Sequence, residues 1–87
     1  MKTFRLTVSS PDGNKFDGEI VKLDVRGVLG ELAVMAGHIP FVTAIVKAPV
    51  VIHLEDGDEM HAHSEGGILT VTSERTILIS GTFKFDE

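Results

Sequence analysis

The stretch "VIHLEDGDEMHAH" (residues 51–63) decides the fold, because it reads as two alternating segments around Asp56-Gly57. A two-residue loop pairs Glu55 with Asp58 and mixes polar and apolar side chains on both faces. A three-residue loop with a left-handed Gly57 or Asp58 pairs Glu55 with Glu59 and His53 with His61. That register puts Ile52, Leu54, Met60 and Ala62 on one face and His53, His61, His63, Glu55 and Glu59 on the other. A slip of one residue flips every side chain, so the register that segregates the faces is the one expected.

The same period of two runs outward in both directions. Phe4, Leu6 and Val8 alternate with Thr3, Arg5 and Thr7, and "PDGN" at 11–14 supplies a turn. Apolar residues at Phe16 and Ile20 change parity at Val21, Leu23 and Val25, which calls for a bulge or a bend. Further strand-like runs fall at 31–35, 41–47, 50–55, 59–64, 68–72 and 76–80. No helical stretch, internal repeat or linker interrupts them. The expectation is an all-β sandwich or barrel.

Composition narrows the function. The chain of 87 residues is expected to be one domain, residues 1–81, followed by a tail, 82–87. With no cysteine, disulfides and thiol-ligated metals are excluded. A net charge of −5 argues against nucleic acid as the main partner. No apolar run approaches the ~20 residues of a membrane span, and the alternating start is not a signal peptide. A soluble, intracellular protein is expected.

Three signals bear on chemistry. His53, His61 and His63, completed by Glu55 or Glu59, are the residue types of a metal site, against which stands a solvated, histidine-rich sheet face. Ser9, Ser10, Ser64, Ser73 and Ser80 lie in no nucleophile elbow or S-x-x-K arrangement, and no phosphate-binding loop is present. The third signal is "MAGHIPFVTAI" (35–45). Gly37 permits a positive φ and Pro40 withholds a ladder donor, so the chain turns a corner there with His38 and Ile39 at its apex.

"FDGEIVKLDVRGVLGELAVMAGHIPFVTAI" (16–45), with "GGILTV" (66–71) and "TILIS" (76–80), resembles the N-terminal domain of the epsilon subunit of F-type ATP synthases. The resemblance implies a flattened ten-stranded β-sandwich and a non-catalytic rotor subunit in the central stalk. Such a subunit links the gamma subunit to the membrane c-ring and couples ion flow to ATP synthesis. It also implies a peripheral position on the cytoplasmic side of the bacterial inner membrane.

By that resemblance Arg26, Gly27, Val28, Leu29, Gly30, Glu31 and Leu32 face the c-ring, with Glu31 making an acidic loop. Ser10, Met35, His38, Ile39, Phe41, Val42 and Thr43 face gamma. Leu29 stands where the family often has an acidic residue, Ala36 replaces a proline, and Glu65 replaces a serine. The family usually continues into two C-terminal helices that in some members bind ATP; this chain reads as a naturally short or truncated form. No helical hairpin, nucleotide, cofactor or metal is therefore expected. One face should leave apolar side chains exposed, with Phe83 and Phe85 of the tail adding to it. A small β-sandwich binding metal through His53, His61 and His63 is the alternative.

Overall fold

The computed structural model describes residues 2–86. Every regular element among them is a strand. They are β1 (Phe4–Ser10), β2 (Gly13–Ile20), β3 (Lys22–Gly27), β4 (Gly30–Met35), β5 (Phe41–Ile45), β6 (Ala48–His53), β7 (Glu59–Ser64), β8 (Gly67–Val71), β9 (Arg75–Ser80) and β10 (Phe83–Phe85). No helix among the described residues is long and apolar enough to cross a membrane.

Hydrogen bonds run through the ten strands in the order β10-β7-β6-β3-β5-β8-β9-β1-β2, with β4 on the other edge of β3. At one point this nearly closed sheet narrows to a single residue pair, Gly27 with Ile45. It folds there into two five-stranded layers. The first sheet is β4-β3-β6-β7-β10 and the second is β5-β8-β9-β1-β2. The expected ten-stranded β-sandwich is what forms.

Alternation builds the core between them. Leu23, Val25, Val34, Val50, Ile52 and Ala62 point inward from the first sheet. Leu6, Val8, Ile20, Ile45, Leu69, Val71 and Leu78 meet them from the second. The change of parity at Val21 is where the chain leaves β2 in one sheet and enters β3 in the other. Its backbone N–H donates to His53 O at 2.9 Å. The bulge proper lies in the β1–β2 pair, between Val8 and Ser9.

A polar bolt closes the opposite corner. The chain crosses between sheets at Gly66 and again at Gly81, side by side, with Gly81 N–H donating to Gly66 O at 3.2 Å. The buried Ser64 and Ser80 hydroxyls meet at 2.8 Å, and Ser80 Oγ also lies 3.1 Å from Gly66 O and 2.7 Å from Thr82 O. Gly67 is obligatory here, because a Cβ on it would sit 1.9 Å from Ile79 O.

Three expectations need correction. The 51–63 hairpin does have a three-residue loop with a left-handed glycine (Gly57, φ +93°). It begins one residue earlier than expected, however, with Leu54 N–H donating to Asp58 O at 2.8 Å. His53 therefore faces Glu59, and His61 faces Val51. This offset of two positions preserves the segregation of faces. The strand expected at 50–55 starts at Ala48. Pro49 is tolerated because β3 pairs only with Val51–His53 and no ladder bond is lost on that edge. Finally, the tail is not an exposed apolar patch. Residues 83–85 pair with β7 as β10, Phe83 is buried in the core, and Phe85 is half-buried with its ring edge against Phe83 at 5.3 Å.

Candidate functional site

The two outer faces of the sandwich differ sharply in chemistry. On the second sheet, registered cross-strand rows read Val42–Thr70–Ile77–Thr7 and Ala44–Ile68–Ile79–Ser9. Val42, Ile68 and Ile79 are each more than half exposed, at 67%, 52% and 57%. None of these eight positions carries a charge. Alternation explains why: Leu69, Val71 and Leu78 take the inward positions, so their apolar neighbours can only face out. Ile68, Ile77 and Ile79 floor a shallow apolar groove rimmed by Ser9, Ser10, Pro11 and two glycines, Gly67 and Gly81.

Charge returns at the β1–β2 edge and at Arg75 on β9, which stands opposite Arg5. There the Arg5 Nε donates to Asp17 Oδ1 at 2.7 Å. This hydrogen bond from Arg5 holds the Asp17 carboxyl below the usual carboxylate range.

The corner between β4 and β5 borders the apolar face. Gly37 adopts φ +85°, in the left-handed region that the break in the sequence requires. The His38 ring packs on Phe41 with centroids 5.2 Å apart. Ile39 is 79% exposed and Met35 about half exposed.

The seven residues expected to face gamma do not form one cluster. Val42 lies on the apolar face, but Phe41 and Thr43 point the other way and are half-buried, because neighbours in a strand face opposite sides. Thr43 Oγ1 donates to Ala44 O at 3.2 Å. His38 and Ile39 sit at one end of β5. Ser10, hydrogen-bonded to Asp12, sits at the far end of the second sheet. The face with its isoleucines runs between those ends. Ile68, Ile77 and Ile79 were absent from the sequence expectation, although "GILTV" and "TILIS" place them on the parity opposite the core residues.

The loop expected to face the c-ring is the β3–β4 hairpin tip. Gly27 pairs with Gly30 across a two-residue turn, Val28-Leu29, and Gly30 has φ +126°. The tip is braced by Val28 N–H donating to Ala44 O at 3.3 Å and Val46 N–H donating to Arg26 O at 3.0 Å. It is not an acidic loop. Glu31 is paired across the strands with Arg26, Nη2 to Oε1 at 3.2 Å. What the tip presents is apolar: Val28 at 60% exposure and a fully exposed Leu29.

The outer face of the first sheet is the polar one, and it corrects the metal alternative. His53 Nε2 contacts Asp24 Oδ2 at 2.6 Å, His61 contacts Glu59 at 3.1 Å, and His63 contacts Asp86 at 2.6 Å. The histidines are spread along β6 and β7 and each is engaged by a carboxylate. Among the described residues no group of three metal-ligating side chains converges. The fourth potential ligand, Glu55, lies in the turn and is exposed.

These features define an all-β sandwich domain with one charged and one apolar outer face. The chain belongs to the family described as "ATP synthase, Delta/Epsilon chain, beta-sandwich domain", which matches residues 3–85. Among curated relatives, the sodium-ion-specific ATP synthase epsilon chain of Acetobacterium woodii is 33% identical over 86 residues, covering 99% of this chain and 65% of that protein. The ATP synthase epsilon chain of Dichelobacter nodosus is 31% identical over 77 residues, covering 88% of this chain and 54% of that one. The chain thus spans between half and two-thirds of the length of these relatives.

The fold is likewise similar to solved structures. A chain of the Euglena gracilis mitochondrial ATP synthase (OSCP/F1/c-ring) superposes with a TM-score of 0.90 at 19% identity, covering 95% of this chain and 53% of the other. A chain of the Tetrahymena thermophila mitochondrial ATP synthase central stalk and c-ring gives 0.77 at 13% identity, covering 94% and 66%.

Proposed function

We propose that this chain is a non-catalytic subunit of the central stalk of an F-type ATP synthase, working at the cytoplasmic side of the bacterial inner membrane. In this reading the apolar face of the second sheet, from His38 and Ile39 at the corner to Ser10, seats on the gamma subunit. The β3–β4 tip touches the c-ring. The observation that carries it is the pair of uncharged cross-strand rows on that face, with Val42, Ile68, Ile77 and Ile79 laid bare. Contiguous exposed apolar surface on a small soluble domain marks a place where a partner sits.

The paired Arg26 and Glu31 change the expected chemistry of the tip. Its contact rests on Val28 and Leu29 entering an apolar recess rather than on attraction between an acidic loop and basic loops. Catalysis is assigned to other subunits, and the role here is to transmit torque through two rigid contacts.

The test is a calorimetric titration of the chain into the gamma subunit of the same organism. Stoichiometric binding is expected. Ile79→Asp, on an exposed position, should weaken it at least about tenfold with the fold intact. No complex with a well-folded gamma subunit sinks the reading, and full affinity in the Ile79 variant removes the isoleucine face from it.

A further inference from the structure

The isoleucine column on the outer face of the second sheet ends in an arginine. Along β9 the side chains on that face are Ile79, Ile77 and Arg75. The two isoleucines lie in register with Ile68 and Thr70 on β8 and with Ser9 and Thr7 on β1. Arg75 continues the column by one step, at the end where the β4–β5 corner stands. It lines with His38 a cleft of about 240 Å³ between that corner and the β8–β9 turn.

Arg75 stands opposite Arg5 across the parallel β1–β9 pair, and like charges in register repel. Only one of the two is neutralised. Arg5 Nε donates to Asp17 Oδ1 at 2.7 Å, and Arg5 also faces Glu19 across the β1–β2 pair. Those two carboxylates are further engaged by Thr7 and Thr3, whose hydroxyls donate to Asp17 at 3.3 Å and to Glu19 at 2.9 Å. Arg75 is exposed and makes no ion pair among the described residues. On its β8 side the Thr72 hydroxyl donates to Arg75 O at 3.0 Å and accepts from the Glu74 and Arg75 N–H groups, so it serves the turn backbone and not the guanidinium.

We propose that Arg75 is the polar anchor of the docking face and takes a carboxylate of the gamma subunit. This rests on the reading that the face seats gamma, and it adds the chemistry that gamma must bring. Covering Ile77 and Ile79 strips water from the guanidinium next to them on the same face. A charge that loses water without gaining a partner opposes binding, so the covering surface has to supply an acceptor. A carboxylate fits best, because the guanidinium is always charged and presents paired donors that match two oxygens. Arginine is also one of the residues on which interfaces concentrate their binding energy. The chain carries −5 overall, so its distant field does not draw in an acidic partner, and the attraction is local to this position. Apolar contact is non-directional and would let a partner slide along the isoleucines. A charge at one end of the column fixes where it stops.

Calorimetric titration of the intact chain into gamma from the same organism tests this with three variants at the exposed position. Arg75→Gln is expected to bind about five- to twentyfold more weakly, between the scale of a surface ion pair and that of a hydrogen-bonded charge. Arg75→Glu should bind more weakly still, while Arg75→Lys should recover part of the loss. Thermal unfolding of each variant should match the parent. A zero-length carbodiimide treatment of the Arg75→Lys complex then reads the contact directly. It joins the introduced amine to a neighbouring carboxyl as an amide with loss of water, and the cross-linked peptide is expected to hold an aspartate or glutamate of gamma. Arg75→Gln within about twofold of the parent, or a complex of Arg75→Lys that forms no such link, overturns the carboxylate contact and leaves the apolar docking face standing. A parent chain that does not bind gamma overturns both.

Discussion

Gly67→Ala puts a single methyl group where the two crossings of the chain meet. The added Cβ would lie 1.9 Å from Ile79 O, 2.9 Å from Ile79 C and 2.9 Å from Ser80 Cα, all of them backbone. No rotamer change relieves this, so β8 and β9 must part by more than ~1 Å locally. Their pairing of Gly67 with Ser80 is lost in the process. Overpacking against backbone together with one lost ladder bond costs about 2–4 kcal/mol. The whole domain of 87 residues is worth roughly 4–13 kcal/mol, so the midpoint of thermal unfolding should fall on the order of 10–30 °C. With no tryptophan or tyrosine in the chain, far-ultraviolet circular dichroism or calorimetry is the assay. Gly81→Ala is the control, since a Cβ there meets nothing within 4 Å; it should cost less than about 0.5 kcal/mol. A Gly67 variant within about 1 kcal/mol of the parent refutes the steric argument.

Ser80→Ala removes the hydroxyl that links Ser64 Oγ with the Gly66 and Thr82 carbonyls inside the polar bolt. Leaving those groups short of a partner should cost about 1–3 kcal/mol in urea unfolding, and a neutral result would mean that water takes its place. Acid sensitivity is expected at the β1–β2 turn. The Lys15 ammonium, aided by the Ser10 hydroxyl, holds the Asp12 carboxyl down to about 2 from 3.8. A lowered carboxylate stabilises the fold above its ordinary range, and that contribution fades as pH falls from 3.8 towards about 2. Lys15→Met should blunt this loss in acid melting curves, and an unchanged curve would remove the pair from the account.

Much of the fold was legible because alternation is a strong signal where one face is buried. It placed Leu6, Val8, Ile52 and Ala62 correctly and located the corner at Gly37. The hairpin loop was misplaced by one residue because Asp56-Gly57-Asp58 suits turn positions throughout, and only the Leu54–Asp58 bond decides among them. Phe83 and Phe85 looked like an exposed tail because three residues are too few to show a period. Their burial depends on β7 offering a free edge, which is a long-range fact. The candidate site was less legible still. Phe41, Val42 and Thr43 are contiguous in sequence, but a strand offers only alternate residues to one face, so Val42 alone of the three faces out. Ile77 and Ile79, thirty-five and more residues away in sequence, complete that face only because β5, β8 and β9 lie side by side. Glu31 looked like a free charge until the register set Arg26 opposite it.

The pairing of β1 with β9 is parallel and joins Arg5 to Arg75, so the first strand of the chain waits for nearly the last. A newly made chain can close the β3–β4 and β6–β7 hairpins as each emerges, since their partners are local. The second sheet can close its β1–β2 and β8–β9 hairpins in the same way but cannot join them locally. Its β1–β2 half and its β8–β9 half are made at opposite ends of synthesis and meet across a loop of about seventy residues, whose closure is an entropic cost borne before any contact repays it. Until then β8 and β9 show apolar side chains on both faces and an unpaired edge, the features that invite aggregation. Of the two layers, the one carrying the apolar face is therefore the slower to assemble and the more in need of protection while the chain is being made.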